Sequence, residues 1–190
     1  MTDNIFSVKG RIALVSGASS GLGEHIAEML ADKGVAVICA ARRMDLLQKL
    51  ADRIKAKGGK AMAVTMDVTD RASVKAGFDL AEKEFGTPDI VVCNAGATGR
   101  QPFLEMEETN WDHVLNVNVK GVFNLGQEGA QRMVAAGIPG NIINISSICA
   151  VSSFMGLTHY SASKGAVNQL TCVMGHELAE HGIRVNALAP

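Results

Sequence analysis

Short runs of β-branched and aliphatic residues alternate with longer helix-patterned runs along the whole chain, and that alternation leaves few folds open. RIALVS (residues 11–16), AVICAA (36–41), KAMAVTM (60–66), DIVVCN (89–94), NIINIS (141–146) and IRVNAL (183–188) read as strands. Most are apolar throughout, as strands covered on both faces must be. Between them, residues 23–33 place Ile26, Met29 and Leu30 on one helical side and end at Gly34. Residues 44–57 repeat the pattern with Leu46, Leu47, Leu50 and Ile54 before Gly58 and Gly59. Further helices are expected over residues 69–85, with Thr69 as N-cap, over 109–136, and over 158–180 with Gly182 closing the last. Strand–helix–strand units joined by right-handed crossovers give an α/β fold with a doubly wound parallel sheet of order 3-2-1-4-5-6. In such a sheet ligands sit at the carboxyl ends of the strands, near the switch between strands one and four. No internal repeat or linker divides residues 1–190, which read as a single domain.

Charge narrows the function classes. Eighteen Lys plus Arg against 19 Asp plus Glu give a net charge of −1. That balance carries no electrostatic footprint for nucleic acid, and no polybasic run suits a membrane surface. The start, MTDNIFSVKGR, lacks the basic and apolar regions of a secretory signal. No apolar run approaches the ~20 residues that span a bilayer. The four cysteines (Cys39, Cys93, Cys149, Cys172) form no C-x-x-C and are expected as buried, reduced thiols. No His or Cys cluster has metal-ligand spacing. A cytoplasmic protein without a metal is the expectation.

SGASSGLG (residues 16–23) follows the first strand and opens the first helix. There Gly17 permits a tight turn, Gly21 lets backbone approach a pyrophosphate, and Gly23 lets helix and strand pack closely. The N–H groups of Gly21, Leu22 and Gly23 open the helix toward an anion, and Ser19 and Ser20 add hydroxyls. The spacing is G-x-x-x-G-x-G, without the Gly-Lys-Ser/Thr of a P-loop. Strand two ends in CAARRM. An acidic residue there would bind an adenosine ribose 2′-hydroxyl, whereas arginine accommodates a 2′-phosphate. Arg42 and Arg43 therefore favour NADP over NAD, and Arg42 is the candidate phosphate ligand.

Four separated pieces then fall into one pattern: the glycine loop, Asp67–Val68 after strand three, CNAG (residues 93–96) after strand four, and YSASK (160–164). With Asn118 in NVNVKGVF and Ser147 in INISSICA, they resemble the short-chain dehydrogenase/reductase family from about Lys9 to Pro190. The resemblance implies that Asp67 binds the adenine amino group, with Val68 contributing backbone, and that Asn94, Ala95 and Gly96 line the cofactor's ribose side. Cys93 stands where the family usually has a second Asn. Family members continue through a further strand and helices that cover the substrate, so a C-terminally incomplete domain without terminal strand and lid is expected.

Tyr160 is the chain's one tyrosine, and Lys164 follows four places later. On a helix, residues four apart lie ~6 Å apart along the axis on nearly one face, and side chains lean toward the amino end. A cation within reach favours the phenolate. Ala162, Ser163, Gly165 and Ala166 should leave room for a flat nicotinamide. By the resemblance, Tyr160 exchanges a proton with the substrate oxygen as hydride moves, and Lys164 holds the nicotinamide ribose. Ser147 bonds the carbonyl oxygen, and Asn118 holds a water that relays the proton from Lys164. Ser146 is the structural neighbour of Ser147, and Asn116 competes with Asn118. His159 faces ~100° away from Tyr160 and reads as structural or substrate-facing. The activity implied is NADP(H)-dependent interconversion of a small-molecule ketone and secondary alcohol. A catalytically silent dinucleotide-binding sensor or scaffold stays open. A methyltransferase would want an acid where Ala41 stands. Surplus apolar residues on the two long helices, among them Phe123 and Val173, point to a homodimer or homotetramer.

Overall fold

The computed structural model describes residues 7–190. Its strands are β1 (Ile12–Ser16), β2 (Ala36–Ala41), β3 (Lys60–Thr65), β4 (Ile90–Cys93), β5 (Gly140–Ile145) and β6 (Ile183–Leu188). They form one parallel sheet in the order β3-β2-β1-β4-β5-β6, so the expected topology is observed. Side chains alternate between two cores. Ala13, Val15, Val37 and Cys39 meet α1 (Gly21–Asp32) and α2 (Met44–Ala56) through Ala27, Ala31, Leu47, Leu50 and Ile54. Leu14, Ile38, Val64, Val91 and Ile142 face the opposite way, against α3 (Arg71–Phe85), α5 (Gly121–Ala136) and α6 (Thr158–Leu178). Burying each such side chain contributes about 1.5–3 kcal/mol.

Three helical expectations change. Thr69 does not cap α3, because its hydroxyl and N–H both donate to Asp67 Oδ1. Asp70 caps instead, accepting from Ala72 N at 2.9 Å. The single helix expected over 109–136 is divided into α4 (Glu108–Leu115), a π-turn at Asn116–Lys120, and α5. One wide turn re-aims the next helix without interrupting the rod, so the apolar period conceals it. Its effect is to put Asn118 inside the protein at 0% exposure. The last helix ends at Leu178, and a 3₁₀ turn, Ala179–His181, leads into Gly182.

Cys39 and Cys93 are buried, and burial pushes both thiols up to about 12. Against expectation Cys149 is half-buried and Cys172 exposed. Among the described residues no helix is long and apolar enough to cross a membrane, and no His, Cys, Asp or Glu group could hold a metal ion.

Candidate active site

The strand order reverses between β1 and β4, and the loops leaving these strands part there. Ser16 ties them together: its Oγ donates to Val92 O at 3.1 Å and accepts from Asn94 N and Ala95 N at 3.0 and 3.1 Å. Asn94 reaches back, its Nδ2 donating to Ser16 O at 2.9 Å and Gly17 O at 3.3 Å. Its amide therefore binds the glycine loop rather than pointing outward. Gly17 has φ +67° and Gly21 φ +62°, backbone that side chains rarely adopt. A methyl on Gly17 would lie 2.8 Å from the Ala95 Cα. One on Gly23 would overlap the Asn94 amide and lie 2.5 Å from Gly17 O. One on Gly21 would meet nothing within 4 Å, so that position opens outward. Ser20, the residue before α1, makes no capping bond, leaving the first N–H groups of α1, from Gly21, Leu22 and Gly23, unpaired within the helix.

A cleft of about 550 Å³ opens over this loop. Gly17, Ser19, Ser20, Arg42, Asp67, Val68, Asn94, Ala95 and Gly96 line it, nine of the residues that the sequence singles out. Leu22 is 45% exposed beside it and Gly23 is buried beneath. The sequence favours Arg42 as the phosphate ligand, yet it is the Arg43 guanidinium that donates to Ser19 Oγ and Ser20 Oγ, each at 2.8 Å. Both arginines line the cleft, and their pairing after Ala41 does not tell which one meets the serines. His113, Asn116 and Val117 also line the cleft, brought there by α4 and the π-turn. Asp67 is held below its usual carboxylate range, first by the Thr69 N–H, then by the Thr69 hydroxyl. Both bonds fall on Oδ1. Val68 keeps its carbonyl bonded to Asn124 Nδ2 at 2.9 Å.

Gly96 joins this cleft to the second group of candidates. A methyl built there would stand 3.4 Å from Asn118 Oδ1 and 3.9 Å from Lys164 Nζ. Asn118 Oδ1 accepts from Ala97 N at 2.7 Å, and Nδ2 donates to Ala97 O and Ser163 Oγ at 2.9 Å each. Ser163 in turn donates to Tyr160 O at 2.7 Å. Lys164, 4% exposed, donates from Nζ to Ile145 O at 2.6 Å and lies 5.5 Å from the centre of the Tyr160 ring. Burial lowers its pKa to about 8. The four-residue spacing thus brings cation and phenol together. Of the small residues around them, Ser163 is enclosed by protein, Ala162 is exposed, and a methyl built on Gly165 would meet only Ala150 O, at 3.9 Å.

Ser147 leaves β5 and starts a 3₁₀ turn, Ile148–Ala150, its Oγ accepting from Cys149 N at 3.2 Å. The hydroxyl proton remains free to donate. Ser146 is structural: its Oγ donates to Asn168 Oδ1 at 2.6 Å.

A protein-family model described as short chain dehydrogenase matches residues 11–190. Gluconate 5-dehydrogenase of Gluconobacter oxydans (strain 621H) is 37% identical over 187 residues, which are 98% of this chain and 73% of that protein. A 3-oxoacyl-[acyl-carrier-protein] reductase of Staphylococcus aureus (strain Mu50) is 40% identical over 94% of this chain and 72% of its own. Among solved structures, a gluconate 5-dehydrogenase from Burkholderia cenocepacia J2315 in complex with NADP and tartrate superposes with TM-score 0.93 at 38% identity. The match covers 97% of this chain and 72% of that one.

Proposed function

This chain belongs to the short-chain dehydrogenase family of oxidoreductases, and from that premise we propose that it interconverts a ketone and a secondary alcohol with NADP(H), Tyr160 acting as general acid and base. The observation that carries the reading is the buried Lys164 ammonium 5.5 Å from the Tyr160 ring, next to Gly96 at the edge of a glycine-floored cleft. The cleft suits a dinucleotide. Gly17 and Gly23 bring backbone close, Gly21 leaves open space, the start of α1 offers N–H groups, and two arginines supply positive charge. When bound, the nicotinamide supplies or accepts the hydride.

Arg42 and Arg43 hold the 2′-phosphate, Arg43 exchanging its serine contacts for it. In reduction the Tyr160 hydroxyl gives its proton to the substrate oxygen, and in oxidation the phenolate takes one back. Lys164 stabilises that phenolate from a site where water screens little. The Ser147 hydroxyl donates to the carbonyl oxygen as negative charge develops. Asn118 keeps one lone pair of Oδ1 unspent, and the space beside Gly96 between it and Lys164 fits a water that passes protons onward. Asp67 presents Oδ2 to the adenine amino group, with Val68 beside it. Phe123 and Val173, 41% and 44% exposed on α5 and α6, support homo-oligomers, although the Arg71 guanidinium lies over the Phe123 ring at 5.1 Å. A monomer in sedimentation would contradict that part.

The test begins with fluorescence titration of NADPH and NADH. A panel of ketones comes next, including 5-ketogluconate and a 3-oxoacyl thioester, with loss of reduced-nicotinamide absorbance as readout. Arg43→Ala should weaken NADPH about tenfold or more while sparing NADH. Equal losses would remove the 2′-phosphate assignment. Binding without turnover of any ketone would favour a silent dinucleotide-binding module.

A further inference from the structure

Two loops frame Ser147 and Tyr160. Residues 148–157 join them along the chain, beginning with the 3₁₀ turn that Ser147 starts and ending at the first turn of α6, which carries Tyr160. Residues 94–107 run from β4 to α4, with Ala97 held by Asn118. Gln101 ties the two loops together. Its backbone N donates to Gly156 O at 2.9 Å, four residues before Tyr160. Its side chain donates to Glu105 O at 2.7 Å and accepts from Glu107 N and Asn110 Nδ2 at 3.2 and 3.0 Å. Those bonds close the β4–α4 loop around a short 3₁₀ turn, Phe103–Glu105.

On either side of the Gln101–Gly156 bond, large apolar side chains stand in water. Phe103 and Leu104 are 72% and 96% exposed, Val151 and Met155 80% and 92%. Ile148 and Phe154 are about half uncovered on the second loop. Elsewhere among the described residues, exposed large hydrophobics are spread over the helices and β6, at most two to an element. Single exposed apolar residues are ordinary, but six on two joined loops beside the Ser147 and Tyr160 hydroxyls mark a binding surface. Charge narrows what that surface takes. Residues 148–157 carry no charged side chain, and residues 97–108 carry Arg100 against Glu105, Glu107 and Glu108. The carboxylate of a sugar acid would meet a rim of net negative charge. An alkyl chain has no charge to repel and gains by leaving water.

We propose that these two loops form an apolar rim that receives the alkyl chain of the substrate, so that the protein acts on long-chain ketones in preference to polyhydroxy acids. The inference rests on the oxidoreductase reading, which supplies the carbonyl that Ser147 and Tyr160 hold. With the carbonyl oxygen on those hydroxyls, its carbon substituents lie beside the joined loops.

The test compares kcat/KM with NADPH for 2-butanone, 2-hexanone, 2-octanone and 5-ketogluconate. Each added methylene should raise kcat/KM about twofold, short of the roughly fourfold of complete burial. 5-Ketogluconate should fall below 2-octanone. Leu104 and Met155 are almost fully exposed, so the fold does not depend on them. Replacing both, Leu104→Ser with Met155→Ser, should compress the rise from butanone to octanone to within about threefold, with NADPH affinity within about twofold of wild type. Turnover without dependence on length, a preference for 5-ketogluconate, or an undiminished rise in the double variant overturns the proposal and leaves the oxidoreductase reading standing. An undiminished rise together with altered sedimentation overturns it too, and assigns the surface to a second copy of the chain. If the wild type reduces none of these ketones, calorimetric titration with 2-octanol in the presence of NADP decides. Binding that the double variant loses supports the rim while the oxidoreductase reading fails by itself, and absence of binding overturns the rim.

Discussion

The two halves of the site are built from different materials. On the nucleotide side, the wall is backbone: Gly17 and Gly23 exist so that a chain carbonyl, a Cα and the Asn94 amide can occupy the space a side chain would take. On the Tyr160 side, the wall is held by buried side chains: Asn118 bonds the Ala97 backbone and Ser163 Oγ, Ser163 bonds the Tyr160 carbonyl, and Lys164 bonds the Ile145 carbonyl. Backbone geometry tolerates almost no substitution but is indifferent to pH. A side-chain network tolerates conservative change, yet each member left unpaired costs free energy, and its lysine titrates. The difference teaches where each kind of mutation should act.

The largest effect is expected at Gly23. Its methyl would meet the Gly17 carbonyl, which is backbone, and the Asn94 amide, which is pinned by its bonds to Ser16 O and Gly17 O. Gly23→Ala should destabilise by about 3 kcal/mol, the upper end for overpacking with backbone shifts. Gly21→Ala, with open space but φ +62°, should cost only about 1 kcal/mol. Similar melting temperatures for the two would break the contrast.

Asn118→Leu should come second. It removes three bonds, leaving the Ala97 N and O without the Asn118 amide and Ser163 Oγ with its Tyr160 O bond alone. A loss of about 2–4 kcal/mol in urea unfolding is expected. A loss below about 0.5 kcal/mol would show these bonds to be incidental to stability.

Lys164 sharpens the comparison through pH. Its folded pKa, about 8, lies below the ordinary lysine value of 10.5 because burial disfavours the ammonium. Between those two values the unfolded chain binds more protons, so stability rises with pH there. Below about 8 the cost of the buried charge is constant. Relative to Lys164→Met, the wild type should gain about 2–3 kcal/mol as pH climbs from 8 to 10.5. A flat difference across that window would contradict a buried, titrating ammonium.

The smallest effect is expected at Gly96, where the halves meet. A methyl at 3.4 Å from Asn118 Oδ1 is an ordinary contact, so the fold should keep its stability. It would fill the space between Asn118 and Lys164, and kcat should fall about tenfold, by more than NADPH affinity does. Equal losses would place the damage in cofactor contact alone.

The same division governs how much of the molecule is legible in its sequence. Strand order and cleft position follow from apolar periodicity and the glycine loop, which are local and repeat in recognisable spacing. Tyr160 and Lys164 meet because one helix fixes their separation. The π-turn is illegible, since Val114, Leu115, Val117 and Val122 keep a helical period straight through it. Which arginine turns toward Ser19 depends on where α2 begins, and Arg43 is the residue just before it. Ser16 and Asn94 form a brace between loops 78 residues apart, a contact that only the closed sheet creates. The placement of Ser163 under Asn118 likewise spans 45 residues. Long-range polar pairs carry no local signature, so reading the chain in order does not find them.

The central claim is that the phenol of Tyr160 carries the proton, and Tyr160→Phe with NADPH and an accepted ketone tests it most directly. Removing one hydroxyl from a half-buried ring should leave NADPH affinity within about twofold and lower kcat by about 10²–10⁴. Turnover retained within about threefold of wild type would contradict the account and move the acid elsewhere.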